Sequence, residues 1–229
     1  MATTIHTSAH EGDDKTVRGR VDLGENPNAL DEDGRTPLHW ACAGGHVELV
    51  EYLAGLEGAR LDGQDDAGWT PLMSAVAANK LAVVKLLLGK GADPRARNQA
   101  GQTCLHFHKA RPQVLALLLP YYTTAADINS KDKNGSTALH RCVCGGGEAH
   151  REAMGALLEA GARVGEADKM GNTALHLAAE EGLPELMDCL VAHGADPRTK
   201  NADGKDCWDI AGPQGRAELQ RLAEECDSK

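Results

Sequence analysis

Asp31 to Leu53 read DEDGRTPLHWACAGGHVELVEYL. Asp33-Gly34 suits the tip of a tight hairpin, where glycine supplies the positive φ that other residues resist. Thr36 follows as a helix N-cap, its hydroxyl able to accept a backbone amide left unpaired in the first turn. Pro37 fits the first helical position, whose N–H has no intrahelical partner in any case. The helix it opens is built from small residues, and a second, Val47–Leu56, gathers Val and Leu on one face. One such unit cannot bury its own apolar face. It needs neighbours of the same kind.

The neighbours are present. Thr3, Thr36, Thr70, Thr103, Thr137 and Thr173, with Asp206 in the same role, are spaced 33, 34, 33, 34, 36 and 33 residues apart. Behind them stand TTIH, TPLH, TPLM, TCLH, TALH, TALH and DCWD, and each later cap follows a glycine: Gly34, Gly68, Gly101, Gly135, Gly171 and Gly204. Period and motif resemble the ankyrin repeat. The expected fold is all-α: an ankyrin-repeat solenoid of seven repeats with β-hairpin-like connecting loops. The repeats fall at about 1–33, 34–67, 68–100, 101–134, 135–170, 171–203 and 204–223, one domain over 1–223, with 224–229 a disordered tail.

Repeat one is a degenerate copy whose Arg20, in a slot usually held by leucine, suits a capping repeat with one face in water. In repeats two and three the first helices are expected at Pro37–Gly44 and Pro71–Ala78. In the second helix of repeat three, Leu81–Leu88, the residues Val83, Val84, Leu86 and Leu87 are expected to face inward, and Gly91 to end it in the left-handed manner. Repeat four is irregular. It lacks about two residues between its helices, places His108 and Lys109 where the pattern wants alanines, and adds about three residues around Pro120-Tyr121-Tyr122. A frayed first helix is expected there. Repeat five carries an extra turn at Gly145-Gly146-Gly147. Repeat seven is expected to close the stack with Trp208, Ile210, Ala211, Leu219 and Leu222.

Composition limits what such a stack can do. Aromatic residues make up 3% of the chain, which suits helices packed through Ala, Leu and Val. A net charge of −10 without a long basic run makes nucleic acid and anionic membranes poor partners. No apolar run approaches the ~18 residues that would span a bilayer. Seven cysteines without regular spacing read as reduced thiols, and the expected location is the cytoplasm, with the nucleus.

A metal site is the sharpest chemical alternative, drawing on Cys104, His106, His108, His140, Cys142 and Cys144. Zinc needs four ligands converging at about 2.0–2.3 Å, whereas His106 and His140 hold the same position in successive repeats, about 8–10 Å apart. The competing reading is that these histidines bond backbone in the hairpin turns, with Cys142 a small buried residue, and it is preferred; no metal and no cofactor are expected. Walker loops, H-E-x-x-H pairs and G-x-S-x-G elbows are absent from the sequence, which argues against an enzyme. Asp31, Asp65, Asn98, Asp132, Asp168 and Asn201 recur at one repeat position, the mark of hairpin structure.

Residues on the hairpin tips and first helices are not fixed by the repeat pattern, so their identity carries information. Arg35 and Trp69 precede cap threonines, and Trp40 lies in a first helix; Trp and Arg are enriched at binding hot spots. The early tips carry Glu32, Asp33 and Asp66. The middle positions carry Arg97, Lys131, Lys133, Lys169 and Arg141, and Glu180 and Glu181 follow on a late helix. A partner with opposite charges along this surface is the expectation.

GRTPLHWACAGGHVELVEYL, DDAGWTPL, VVKLLLGKGA and NQAGQTCLH resemble the gankyrin family of proteasome assembly chaperones. The resemblance covers seven repeats and is closest through Leu105. It implies a non-enzymatic, monomeric protein whose concave face holds the C-terminal domain of a proteasomal ATPase subunit, and it assigns that role to Arg35, Trp40 and Trp69. The shortened fourth repeat interrupts the match at Lys109 and Arg111. Animal members carry Leu-x-Cys-x-Glu in repeat six for the retinoblastoma protein; here Leu177-Ala178-Ala179-Glu180-Glu181 has Ala179 in place of the cysteine. The alternative is an ankyrin scaffold or inhibitor for another protein, such as a cell-cycle kinase.

Overall fold

The computed structural model describes residues 4–143 and 145–227, with side chains described through Leu222. The chain forms two compact units, Met1–Phe107 and His108–Lys229, where the repeat count alone reads one domain. The division falls inside repeat four.

The first unit pairs short helices: α1 (Ile5–Glu11) with α2 (Asp14–Asp22), α3 (Pro37–Gly44) with α4 (Val47–Gly55), and α5 (Pro71–Ala77) with α6 (Leu81–Gly89), followed by a 3₁₀ turn at Cys104–Phe107. The first helices form one layer, α1 on α3, α3 on α5 and α5 on the 3₁₀ turn, while α4 packs on α6 in the other. Small residues allow the close approach: Ala41, Cys42 and Ala75 are fully buried. The second layer seals with Leu49, Val50 and Leu53 from α4 and Val83, Val84 and Leu87 from α6. Each large side chain of this kind contributes about 1.5–3 kcal/mol on burial. Leu88 is buried where Leu86 was expected, and Leu86 is half-buried. A further difference lies at the first cap, where Thr4 accepts the Thr7 amide at 3.2 Å. Thr3 lies outside the described residues.

The second unit holds α7 (Pro112–Leu118), a 3₁₀ turn at Leu119–Tyr121, α8 (Ala125–Ile128), α9 (Ala138–Arg141), α10 (Glu148–Glu159), α11 (Ala174–Glu181), α12 (Pro184–Ala192), α13 (Cys207–Ile210) and α14 (Pro213–Asp227). Here α11 packs on α9 and α13, while α10 packs on α7 and α12, and α12 on α14. Leu115, Leu118, Met154, Leu157, Leu175, Met187 and Leu190 are buried. Ala211, Leu219 and Leu222 close the last repeat with Cys207, whereas Trp208 and Ile210 are only half-buried. The disordered tail placed at 224–229 is corrected through Asp227, because α14 continues to that residue. Arg221, which pairs with Glu218 on its own helix and with Asp188 of α12, ties this helix down. Residues 228–229 lie outside the described residues.

Repeat four departs most from the pattern. The 3₁₀ turn takes the place of its first helix, and Lys109 and Ala110 both adopt left-handed backbone, φ 45° and 51°. Tyr122 is buried and Tyr121 exposed in the lengthened loop. In repeat five the first helix is cut to four residues, and Gly147, at φ 95°, precedes α10.

Among the described residues, hairpins without strands join the repeats. Among the described residues the only β-bridge is the isolated Ala167–Thr173 pair. The recurring Asp or Asn organises each tip through its side chain. Asp65 Oδ1 accepts the Ala67 and Trp69 amides at 3.0 and 2.7 Å, and Asp132 Oδ1 those of Asn134 and Ser136 at 2.8 and 3.0 Å. These Asx turns mimic a backbone turn. Within each unit successive tips also bond: the Asp66 amide donates to the Asp33 carbonyl at 2.9 Å, and Lys169 to Asn134 at 2.9 Å. Gly68 (φ 79°) is needed twice over, for its backbone and because a Cβ there would meet Gln99 N at 2.6 Å.

Candidate protein-binding surfaces

The signature histidines position the first helices. His39 Nδ1 accepts the Thr36 amide at 3.1 Å, and its Nε2 donates to the Trp69 carbonyl at 3.0 Å, one repeat further on. His140 does the same between Thr137 (3.2 Å) and Asn172 (3.0 Å). With Nδ1 accepting from an amide, the ring is neutral, and burial pushes both imidazoles below their ordinary pKa. These histidines are structural. Among the described residues no group of three or more His, Cys, Asp or Glu side chains could hold a metal ion. Cys144 lies outside the described residues. Burial also pushes the thiols of Cys42 and Cys104 well up, and that of Cys207 up to about 12.

In the first unit the fold joins Arg35, Trp40 and Trp69 into one network. Trp40 Nε1 donates to Asp31 Oδ2 at 2.7 Å, and the Arg35 guanidinium lies 5.1 Å from the Trp40 ring centroid. Arg35 Nε reaches Asp65 Oδ2 at 3.1 Å, and the amide of Trp69 is held by the same carboxylate. The Trp69 ring rests on Phe107, centroids 4.5 Å apart, and His10 lies 5.2 Å from Trp40. Burial pushes the Asp31 carboxyl up, but the Arg35 amide, the Trp40 indole and the Asp33 amide outweigh it and hold it below the usual range. Glu32, Asp33 and Asp66 are exposed around this network. Trp40 and Trp69 are half-buried. Beside Trp40 a cleft of ≈ 870 Å³ is lined by Ile5, His10 and Leu30 together with Glu25, Glu32 and Asp33. Arg97 is exposed, with Nη1 on the Gly101 carbonyl at 2.9 Å.

In the second unit the expected run of positive tips is divided. Arg141 Nη2 bonds Asp132 Oδ2 at 2.6 Å, and Lys131 Nζ bonds the Ala167 carbonyl at 2.7 Å and Glu166 at 2.9 Å. Both charges are therefore engaged within the molecule. Lys133 and Lys169 stand exposed on adjacent tips, and Glu180 and Glu181 are exposed at the end of α11. Sequence reading missed Asp31, Asp65 and Phe107 as supporting residues. The signal was available in part: Asp31 and Trp40 are nine residues apart, as are Asp132 and Arg141, so the repeat register pairs tip carboxylate with first-helix donor in both places.

Helical hairpin pairs with stacked tips and engaged signature histidines define a protein-interaction solenoid. The chain belongs to the ankyrin-repeat family: the family model for ankyrin repeats (3 copies) matches residues 5–98, 77–168 and 107–201. It is 32% identical over 199 residues to the B-cell lymphoma 3 protein homolog of Mus musculus, covering 84% of this chain and 44% of that one. It is 47% identical over 70 residues to the 26S proteasome non-ATPase regulatory subunit 10 of Dictyostelium discoideum, covering 31% of this chain and 30% of that one. The chain thus spans less than half the length of either relative. Among solved structures, the human ASB11 ankyrin repeat domain superposes with a TM-score of 0.79 at 27% identity, covering 96% of this chain and 98% of that one. No helix among the described residues is long and apolar enough to cross a membrane.

Proposed function

We propose that this protein is a non-enzymatic, monomeric assembly chaperone of the 26S proteasome regulatory particle, acting in the cytoplasm and nucleus. Its partner is the C-terminal domain of a proteasomal ATPase subunit. The observation that carries the reading is the Arg35–Trp40–Trp69 network, three residues of the two hot-spot types Arg and Trp, presented together and held by Asp31 and Asp65. The 47% identity over 70 residues to a proteasomal regulatory subunit supports it. The longer alignment with the B-cell lymphoma 3 protein homolog favours a second reading, a scaffold for another protein target. Co-expression with each isolated ATPase C-terminal domain separates the two. The first reading expects one domain to co-purify and to be lost on Trp69→Ala; if none of the domains is retained, it gives way to the second.

A further inference from the structure

His108 stands where the repeat pattern wants alanine, yet it is fully buried and both ring nitrogens are engaged. Nδ1 accepts the Ala110 amide at 2.8 Å, and Nε2 faces the Ala138 carbonyl at 3.1 Å. The amide can only donate and the carbonyl can only accept, so the geometry demands one neutral tautomer, with the proton on Nε2. The ring closes a turn that holds two consecutive non-glycine residues, Lys109 and Ala110, in left-handed backbone. Such residues persist there only when their surroundings over-determine them. The Arg111 amide on the His108 carbonyl, 3.0 Å, closes the same turn.

We propose that His108 is an acid-sensitive latch: its neutral ring holds the Lys109–Ala110 turn closed, and a proton gained at Nδ1 opens the turn and uncovers Cys142. A protonated Nδ1 presents an N–H to the Ala110 N–H, which removes the bond and sets two donors against each other. From α9 the ring is faced by the Ala138 carbonyl and by the thiol of Cys142, whose Sγ lies 3.6 Å from Nε2. Cys142 is fully buried, so its accessibility reports the state of the turn. The charged residues flanking the ring are Lys109, which is exposed, and Arg111, which is half-buried. Two other histidines lie in repeats four and five: His106, whose Nδ1 already accepts the Thr103 amide at 3.0 Å, and His140 on α9, bound to Thr137 and Asn172. Both hold helix starts of ordinary backbone. His108 alone of the three holds a strained turn.

The test labels the intact protein with 4,4′-dithiodipyridine, which reacts with thiols in acid, from about pH 7.5 to about pH 5, where histidine changes charge. Fragment mass spectra separate Cys142 from Cys144, and Cys42, fully buried in α3, is the internal control. Labelling of Cys142 is expected to rise reversibly, roughly fivefold or more relative to Cys42, as local opening without global unfolding requires. His108→Asn keeps an oxygen to accept the Ala110 amide but cannot titrate, and should flatten the response. The latch is overturned if Cys142 stays protected, if Cys42 rises in parallel, or if H108N keeps the acid step, which then belongs to His140. Should H108N fail to fold, wild-type NMR decides: Ala110 amide exchange must follow the titration of the His108 ring, and a mismatch overturns the assignment.

Discussion

The indole of Trp40 donates to the carboxylate of Asp31 across 2.7 Å, and one first-helix position in repeat five solves the same problem with a different residue. There Arg141 reaches Asp132 at 2.6 Å, with the same nine-residue separation. The tip carboxylate spends one oxygen on backbone amides and offers the other to the helix behind it. Trp40→Ala leaves that second oxygen without its donor and is expected to lower unfolding free energy by about 1–3 kcal/mol, the range for a hydrogen bond to a charged group plus lost packing. Trp40→Arg should recover at least half of the loss by copying Arg141. Denaturant melts of the three proteins check this, and equal stability of W40A and W40R would separate the two sites.

Trp69 is a candidate binding residue whose ring already rests on Phe107, centroids 4.5 Å apart. Binding and folding effects of its removal must therefore be measured apart. Trp69→Ala is expected to weaken the ATPase-domain complex by about 2 kcal/mol or more, as hot-spot aromatics do, and to cost about 1 kcal/mol of stability through the lost ring pair. Phe107→Ala should reproduce the stability loss with a smaller effect on binding. Calorimetric titration alongside thermal melts distinguishes them; matched losses in both assays for both variants would make Trp69 a packing residue.

Acid should weaken this protein in two steps. His39 and His140 are buried neutral, with pKa values below the ordinary ~6.5. The unfolded chain then binds more protons than the native one as pH falls, so stability rises with pH in this range. Their contribution is complete above about pH 6.5 and is lost as pH falls toward the native values. Asp31 and Asp132 are held below the usual carboxylate range, so their contribution is present above about pH 4 and is lost on further acidification. Urea midpoints followed from neutral pH downward should show both declines. A curve flat between about pH 7 and pH 5 would mean that the histidines titrate alike in both states.

Much of the fold was legible because each repeat announces itself with a cap, a glycine and a tip carboxylate, and local signals agreed with the stack they build. Caps at Thr36, Thr70, Thr137 and Asp206 begin helices where the ruler places them. What was not legible came from tertiary context. Nothing local marks Lys109 and Ala110 for left-handed backbone, nor Lys131 as engaged by Glu166. The loss of the fourth first helix was legible in outline and has a consequence for dynamics. Four 3₁₀ residues replace a helix of seven or eight, so Cys104–Arg111 should open more readily than α3 and α5. Amide exchange over that stretch is expected to be at least tenfold faster, a difference of about 1.4 kcal/mol in opening free energy. Uniform protection from repeat two to repeat four would contradict it.

The ion pairs decide which charges are left to steer a partner. Reversing Lys131 disturbs Glu166 and the Ala167 carbonyl inside the molecule, so it is a poor probe of association. Lys133 and Lys169 are exposed on neighbouring tips joined by the Lys169 amide and the Asn134 carbonyl, and they present their charge outward together. Exposed rim charges act mainly by steering encounter, and that effect is screened over about 10 Å at 0.1 M salt. Lys133→Glu with Lys169→Glu should therefore lower the association rate with an acidic partner surface several-fold at low salt and flatten its salt dependence. The dissociation rate should change little, and stability should stay within about 0.5 kcal/mol. Stopped-flow association at low and high salt makes the comparison. A change confined to dissociation would mean that these lysines sit within the buried part of the interface, while an unchanged rate at every salt concentration would remove the second unit's tips from the binding surface altogether.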